Sequence, residues 1–104
     1  MSNLNTNEAE VQNSIPKDKF YVYMVRCKNN SLYTGWTTDL ERRVKEHNNG
    51  TGSKYVRANG PVELVYFEEM SNKIEATKRE YQIKQLTKEK KELLVSQHHK
   101  SGTP

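Results

Sequence analysis

FYVYMVRCKNNSLYTGWTTDLERRVKEH, residues 20–47, is the densest run of order signals in the chain. Phe20 to Cys27 is apolar or aromatic at both alternating positions, which suits a strand covered on both faces. Lys28-Asn29-Asn30-Ser31 is turn chemistry, because Asn tolerates the left-handed backbone that tight turns require. Leu32 to Trp36 resumes as a second strand, and the two should pair as an antiparallel hairpin. Thr38, followed three residues later by Glu41, fits a capping box that starts a helix at Asp39. That helix should run to about Asn48, where Asn49-Gly50 supplies the stop.

Outward from this stretch, the composition sets limits. The chain has 104 residues, room for one domain, and hydrophobic residues make up 33 %, a low share that points to polar ends. Met1 to Ser14 is polar and has no sustained periodicity, so residues 1–18 read as a disordered arm and lead-in. The first residues lack the basic region and apolar run of a signal peptide, and no apolar run approaches membrane-spanning length. Cys27 is the only cysteine, which excludes an internal disulfide and suits a small core residue. These features lead us to expect a cytoplasmic protein. Between Lys19 and Ser96 there are 15 Lys and Arg against 10 Asp and Glu. The basic excess therefore belongs to the domain itself, which favours a polyanionic partner bound in a salt-dependent way.

The rest of the chain completes a small fold. Asn49 to Pro61, with glycines at 50, 52 and 60, reads as a long loop holding Lys54, Tyr55 and Arg57, a basic-aromatic cluster suited to gripping a nucleic-acid strand. Val62 to Phe67 should be a third strand, ended by Glu68-Glu69. Asn72 should cap a second helix, KIEATKREYQIKQL, with Glu75 at the capping-box position. Its wheel is untidy, because Arg79 falls among Ala76, Ile83 and Leu86. Thr87 should cap a short third helix, KEKKELLV, and residues 97–104 read as a disordered tail. Strands that come without βαβ alternation predict an α+β fold: a three-stranded, mostly antiparallel sheet flanked by helices, spanning 19–96.

Polar groups fall where a core would prefer none. Leu40, Val44 and His47 share one face of the first helix, Arg43 lies at its edge, and Arg42 points the other way. Arg43 and His47 are an i,i+4 pair whose heads can meet. Two tyrosines, Tyr23 and Tyr33, stand on the hairpin. Two phenols, a guanidinium and an imidazole can thus converge. The plainer reading is that both tyrosines are β-formers, Arg43 pairs with Glu46 or Asp39 on the surface, and Glu80 pairs with Lys84.

These residues together resemble the GIY-YIG nuclease superfamily, over roughly residues 19–95. Tyr21-Val22-Tyr23 is similar to its first signature tripeptide, with Tyr21 in place of Gly. Tyr33-Thr34-Gly35 is similar to the second, with Thr34 in place of Ile. Asp39 to His47 is similar to the family's arginine-bearing helix, and Glu75 to Lys84 to its metal-site helix. The resemblance looks closest to small stand-alone bacterial members. It implies a catalytic set of Tyr23, Tyr33, Arg43 and His47. One tyrosine would activate water, with Tyr23 our choice, and the other would position the phosphate. It also implies that Glu80 anchors Mg²⁺ or Mn²⁺, an ion for which one carboxylate and several waters suffice. An unperturbed phenol titrates near pH ~10, so a tyrosine base needs nearby cations or a relay.

Two function classes follow. One is a metal-dependent endonuclease acting on phosphodiester bonds in DNA, in repair or recombination. The other is a catalytically weak or inactive module that binds DNA, or alternatively RNA, with a protein partner supplying the targeting that a lone module of this size lacks. For the first, all five polar residues should line one concave, solvent-reachable patch.

Overall fold

The structure, a computed structural model, describes residues 19–51 and 54–102. The expected N-terminal arm lies outside the described residues. Strand β1 (Phe20–Arg26) is followed by β2 (Leu32–Thr37), helix α1 (Leu40–Asn48), a short helix α2 (Lys54–Asn59), β3 (Glu63–Met70), α3 (Lys73–Lys84) and α4 (Lys88–Gly102). The sheet has the order β2-β1-β3, antiparallel throughout. This is the α+β fold that the sequence predicts, and β1 is its middle strand.

Being the middle strand explains the apolar character of β1. Val22, Tyr23, Met24 and Val25 are all buried, on alternating faces. Val22 and Met24 face one core, with Val65, Tyr66, Ala76, Ile83 and Val95. Tyr23 and Val25 face the other, with Cys27, Val56 and Val62, under Leu40 and Val44 of α1. Helices α3 and α4 thus cover one face, and α1 and α2 the other. An extra residue, Val65, interrupts the pairing of β1 with β3 between Met24 and Val25, which puts Val65 and Tyr66 in the same core.

The hairpin turn closes as its residues dictate. Asn30 takes a φ of 72° and its N–H donates to the Cys27 carbonyl at 2.8 Å. Helix α1 is capped one residue later than expected. The Asp39 carboxylate accepts the Arg42 N–H at 3.1 Å, displacing Thr38 from the role. Gly50, at φ 79°, ends the helix as expected.

Three segments depart from the sequence reading. The expected loop at 49–61 contains helix α2, anchored by the fully buried Val56. The third strand runs through Glu68 and Glu69 to Met70, because both carboxylates find cationic partners. Glu68 takes Arg79 at 2.8 Å and accepts the Tyr66 hydroxyl, and Glu69 lies 3.5 Å from Lys19. That ion pair also explains why Arg79 sits among apolar residues on α3. The last helix continues to Gly102, where a tail was expected, and the His98 ring packs 5.2 Å from Tyr66 and 4.9 Å from Phe67. Asn72 and Thr87 cap α3 and α4 as predicted.

Helix α4 is tied to β1 by a two-pronged ion pair, in which Arg26 donates to both Glu92 oxygens at 2.7 and 2.8 Å, and Lys88 adds a third contact at 2.8 Å. The Arg26 guanidinium, and after it Lys88, holds the Glu92 carboxyl at about 2, against an ordinary 4.5. A depressed carboxyl stabilises the fold above its unfolded value, and that contribution is lost as pH falls from about 4.5 to about 2. Because Glu92 is partly exposed, screening reduces the gain to ~1 kcal/mol. Glu92→Gln should lower Tm at pH 7 by ~4–8 °C, a deficit that closes in thermal melts as pH approaches 2.

Candidate functional site

Register alone brings the two tyrosines together. Tyr23 pairs with Gly35, and Val25 with Tyr33, so both phenols stand diagonally on the face that α1 covers. Gly35 has a second role. A Cβ built there would lie 2.6 Å from the Tyr23 hydroxyl oxygen and 2.9 Å from its ring, so the Tyr23 side chain crosses β2 where that strand has no side chain. Strand β2 is an edge strand, so the hydroxyl is delivered to the margin of the sheet.

At that margin the groups of α1 receive it. The Tyr23 hydroxyl lies 2.9 Å from His47 Nε2, and Arg43 Nε donates to the same oxygen at a long 3.4 Å. Since the phenol oxygen accepts from Arg43, its own hydrogen points at Nε2, which assigns His47 the Nδ1–H tautomer. Nδ1 is buried and has no hydrogen-bond partner among the described residues. Burial, and then the charge of Arg43, pushes the His47 pKa down, so the imidazole is neutral at pH 7. Burial likewise pushes the Tyr23 phenol up, with Arg43 opposing and Tyr33 and Glu80 adding to the rise. Tyr23 therefore rests as a neutral phenol.

The set continues in both directions. The Tyr33 ring meets His47 edge-on, with centroids 5.4 Å apart, and lies nearly parallel to Tyr55 of α2 at 6.4 Å and 14°. On the other side Arg43 donates to one Glu46 oxygen and Arg42 to the other, each at 2.9 Å. A cavity of about 250 Å³ opens beside them, lined by Trp36, Thr37, Thr38, Arg42, Arg43 and Glu46.

The expectation of a solvent-reachable patch is corrected at two residues. Tyr23 is 1 % exposed and His47 2 %, because the middle strand and the helix above it enclose both. Glu80 stands on α3, whose buried residues pack on the sheet face opposite α1, and its carboxylate is held by Lys84 at 3.2 Å. Its charge still acts on the Tyr23 phenol. The surface pairs of the plainer sequence reading, Arg43–Glu46 and Glu80–Lys84, are both present. Lys54, Tyr55 and Arg57 are all exposed on α2.

A metal ion would find one anionic anchor in Glu80. Among the described residues no group of three or more His, Cys, Asp or Glu is close enough to hold an ion. The lone carboxylate fits Mg²⁺, which keeps most of its waters, provided the Lys84 ammonium yields. Two further residues belong to the site. Glu46 holds two arginines and is more than the surface partner of Arg43 that sequence spacing indicates. Gly35 clears the path of Tyr23, and its signal in the sequence is a glycine inside a strand, which marks close approach.

Gly35→Ala should cost ~1–3 kcal/mol in urea unfolding, as overpacking does. The loss should be partly relieved in combination with Tyr23→Phe, because the closest clash is with the hydroxyl. Simple additivity of the two changes would show that the contact does not couple them.

Comparison with known proteins places this geometry. The GIY-YIG catalytic domain family matches residues 19–92. A UPF0213 protein of Clostridium perfringens is 60 % identical over 76 residues, covering 73 % of this chain and 82 % of its own. A UPF0213 protein of Haloquadratum walsbyi is 52 % identical over 80 residues, covering 77 % and 90 %, so the relatives extend from bacteria to archaea, beyond the bacterial group expected. The solution structure of the protein EF2693 from E. faecalis has 41 % identity and a TM-score of 0.55, covering 80 % of this chain and 88 % of that one. The chain belongs to the GIY-YIG domain superfamily and, within it, to the UPF0213 family.

Proposed function

We propose that this domain is a nucleic-acid-binding GIY-YIG module whose hydrolytic activity in isolation is weak or lost, and which acts with a partner that supplies targeting. One observation carries the reading: the candidate catalytic groups already hold one another. Arg43 is bound to Glu46 and Tyr23, Tyr23 to His47, and Glu80 to Lys84. The phenol that would serve as base is neutral and enclosed. By contrast Lys54, Tyr55 and Arg57 are exposed, so a strand can reach them. The net basic charge between Lys19 and Ser96 supports a phosphate backbone as the ligand.

The endonuclease is the second reading, favoured by the contact between Tyr23 and a neutral His47. In that reading the phenol passes its hydrogen to Nε2 as it takes one from water. Arg43, turned from Glu46, binds the phosphate oxygens. Glu80 would hold the Mg²⁺ or Mn²⁺, which lowers the pKa of bound water and offsets phosphate charge.

Labelled single-stranded, duplex and branched DNA, incubated with the purified protein and Mg²⁺ or Mn²⁺, separates the two. Binding should weaken as salt rises, and Lys54→Ala and Arg57→Ala should each reduce the salt slope by about 1. Glu80→Ala should leave affinity unchanged or raised. Metal-dependent cleavage at many turnovers per minute, abolished by Arg43→Ala and by Glu80→Ala, would overturn the binding-module reading and establish the nuclease.

A further inference from the structure

The part of the molecule that the catalytic readings leave unused is the aromatic surface on α2. Tyr55 is 44 % exposed, yet its ring is not free to swing. Its hydroxyl sits 2.6 Å from Ser31 Oγ and 3.5 Å from Asn29 Nδ2, both in the hairpin turn. The turn itself is tied to the end of α2, where Lys28 N–H donates to the Asn59 carbonyl at 2.8 Å and Asn29 Nδ2 to Asn59 Oδ1 at 3.2 Å. One side of the ring is backed by Tyr33, nearly parallel. The result is a rigid aromatic face at the surface, on a short helix that also exposes Lys54 and Arg57 and that Val56 anchors in the core.

We infer that Tyr55, backed by Tyr33, is a stacking platform for an unpaired nucleobase, which makes the domain selective for single-stranded nucleic acid. The inference rests on the nucleic-acid-binding reading above and deepens it. A base in a duplex has both faces covered by its neighbours, so only an unpaired or frayed nucleotide offers a face to an aromatic ring. Lys54 and Arg57 supply the charge that tracks the backbone, which any strand presents, while the ring supplies the term that duplex cannot use. A ring fixed in advance loses little conformational freedom when a base settles on it. Tyr33 links this platform to His47 and so to the Tyr23–Arg43 contact, and a nucleotide stacked on Tyr55 therefore stands at the approach to that set.

The competing account is that Tyr55 is only a latch, its hydroxyl holding α2 to the turn. Fluorescence anisotropy with labelled dT12 and the dT12·dA12 duplex at several salt concentrations separates the two, using the full chain and the variants Tyr55→Ala, Tyr55→Phe and Arg57→Ala. The wild type should prefer the single strand. Tyr55→Ala should weaken single-strand binding ~5- to 100-fold, the loss of one stacked base, with duplex binding and salt slope unchanged. Tyr55→Phe keeps the ring and loses the latch, and should stay within about twofold of wild type. Arg57→Ala should weaken both ligands and flatten the salt dependence. Equal losses for single strand and duplex in Tyr55→Ala, or a loss in Tyr55→Phe as large as in Tyr55→Ala, would overturn the platform while leaving nucleic-acid binding intact. No salt-sensitive binding of either ligand by the wild type would overturn the platform and the function it rests on together.

Discussion

The fold depends on β1 having no solvent side. As the middle strand it spends its backbone hydrogen bonds on β2 and β3, and both of its side-chain faces are buried. Two separate cores must therefore be built, one by α3 and α4, the other by α1 and α2. Among the buried side chains of β1, Val22 to Val25, the Tyr23 hydroxyl is the one hydrogen-bonding group. A buried phenol needs a partner, since leaving it unpaired costs ~1–3 kcal/mol. His47 and Arg43 meet that need from α1, and Gly35 keeps the route to them clear. The candidate site is thus also the place where one core disposes of its polar atom, and its chemistry and its stability are not separable.

Much of this was legible in the sequence, for reasons that differ by element. The hairpin and α1 carried strong local signals: both-face hydrophobicity, an Asn-rich turn, and an arginine and a histidine four residues apart. Helix α3 was placed by its Asn72 cap even though its wheel was confused by Arg79. That confusion had a tertiary cause, the Arg79–Glu68 ion pair, which ties α3 to the neighbouring strand and which helical periodicity alone does not register. Helix α2 was missed because three flanking glycines outweighed a six-residue segment whose main support is the burial of Val56. The last helix was cut short for the same kind of reason, its His98 being held by rings of β3.

For the site, spacing and resemblance brought together Tyr23, Tyr33, Arg43 and His47, and the structure joins them through contacts from Tyr33 to Glu46. Cover on both faces of β1 was legible, but the full enclosure of the Tyr23 hydroxyl and of His47 was not. The side on which a middle-strand tyrosine emerges depends on what lies over it, and periodicity fixes only the face. Nor did helix numbering reveal that α3 lies across the sheet from α1, which leaves Glu80 acting on the site through its charge. The helical wheel of α3 does set Ile74 and Tyr81 on a different side from Ala76 and Ile83, and the structure leaves the first two exposed, at 68 % and 65 %, and buries the others.

Glu46 holds two guanidiniums through its two oxygens, which is the geometry in which a pair of arginines would grip a phosphodiester. Under the proposed nucleic-acid-binding role, the carboxylate stands where a backbone phosphate would be held. A phosphate arriving at Arg42 and Arg43 exchanges one anion for another, so the step releases few counterions and its net attraction is the small difference between two similar contacts. These two arginines would then add specificity of geometry without adding much to the long-range pull on a nucleic acid, a division of labour that leaves capture to the unpaired charge elsewhere on the surface. On that same proposal, an occupant would have to be a better bidentate partner than a carboxylate held on the same helix three and four residues away.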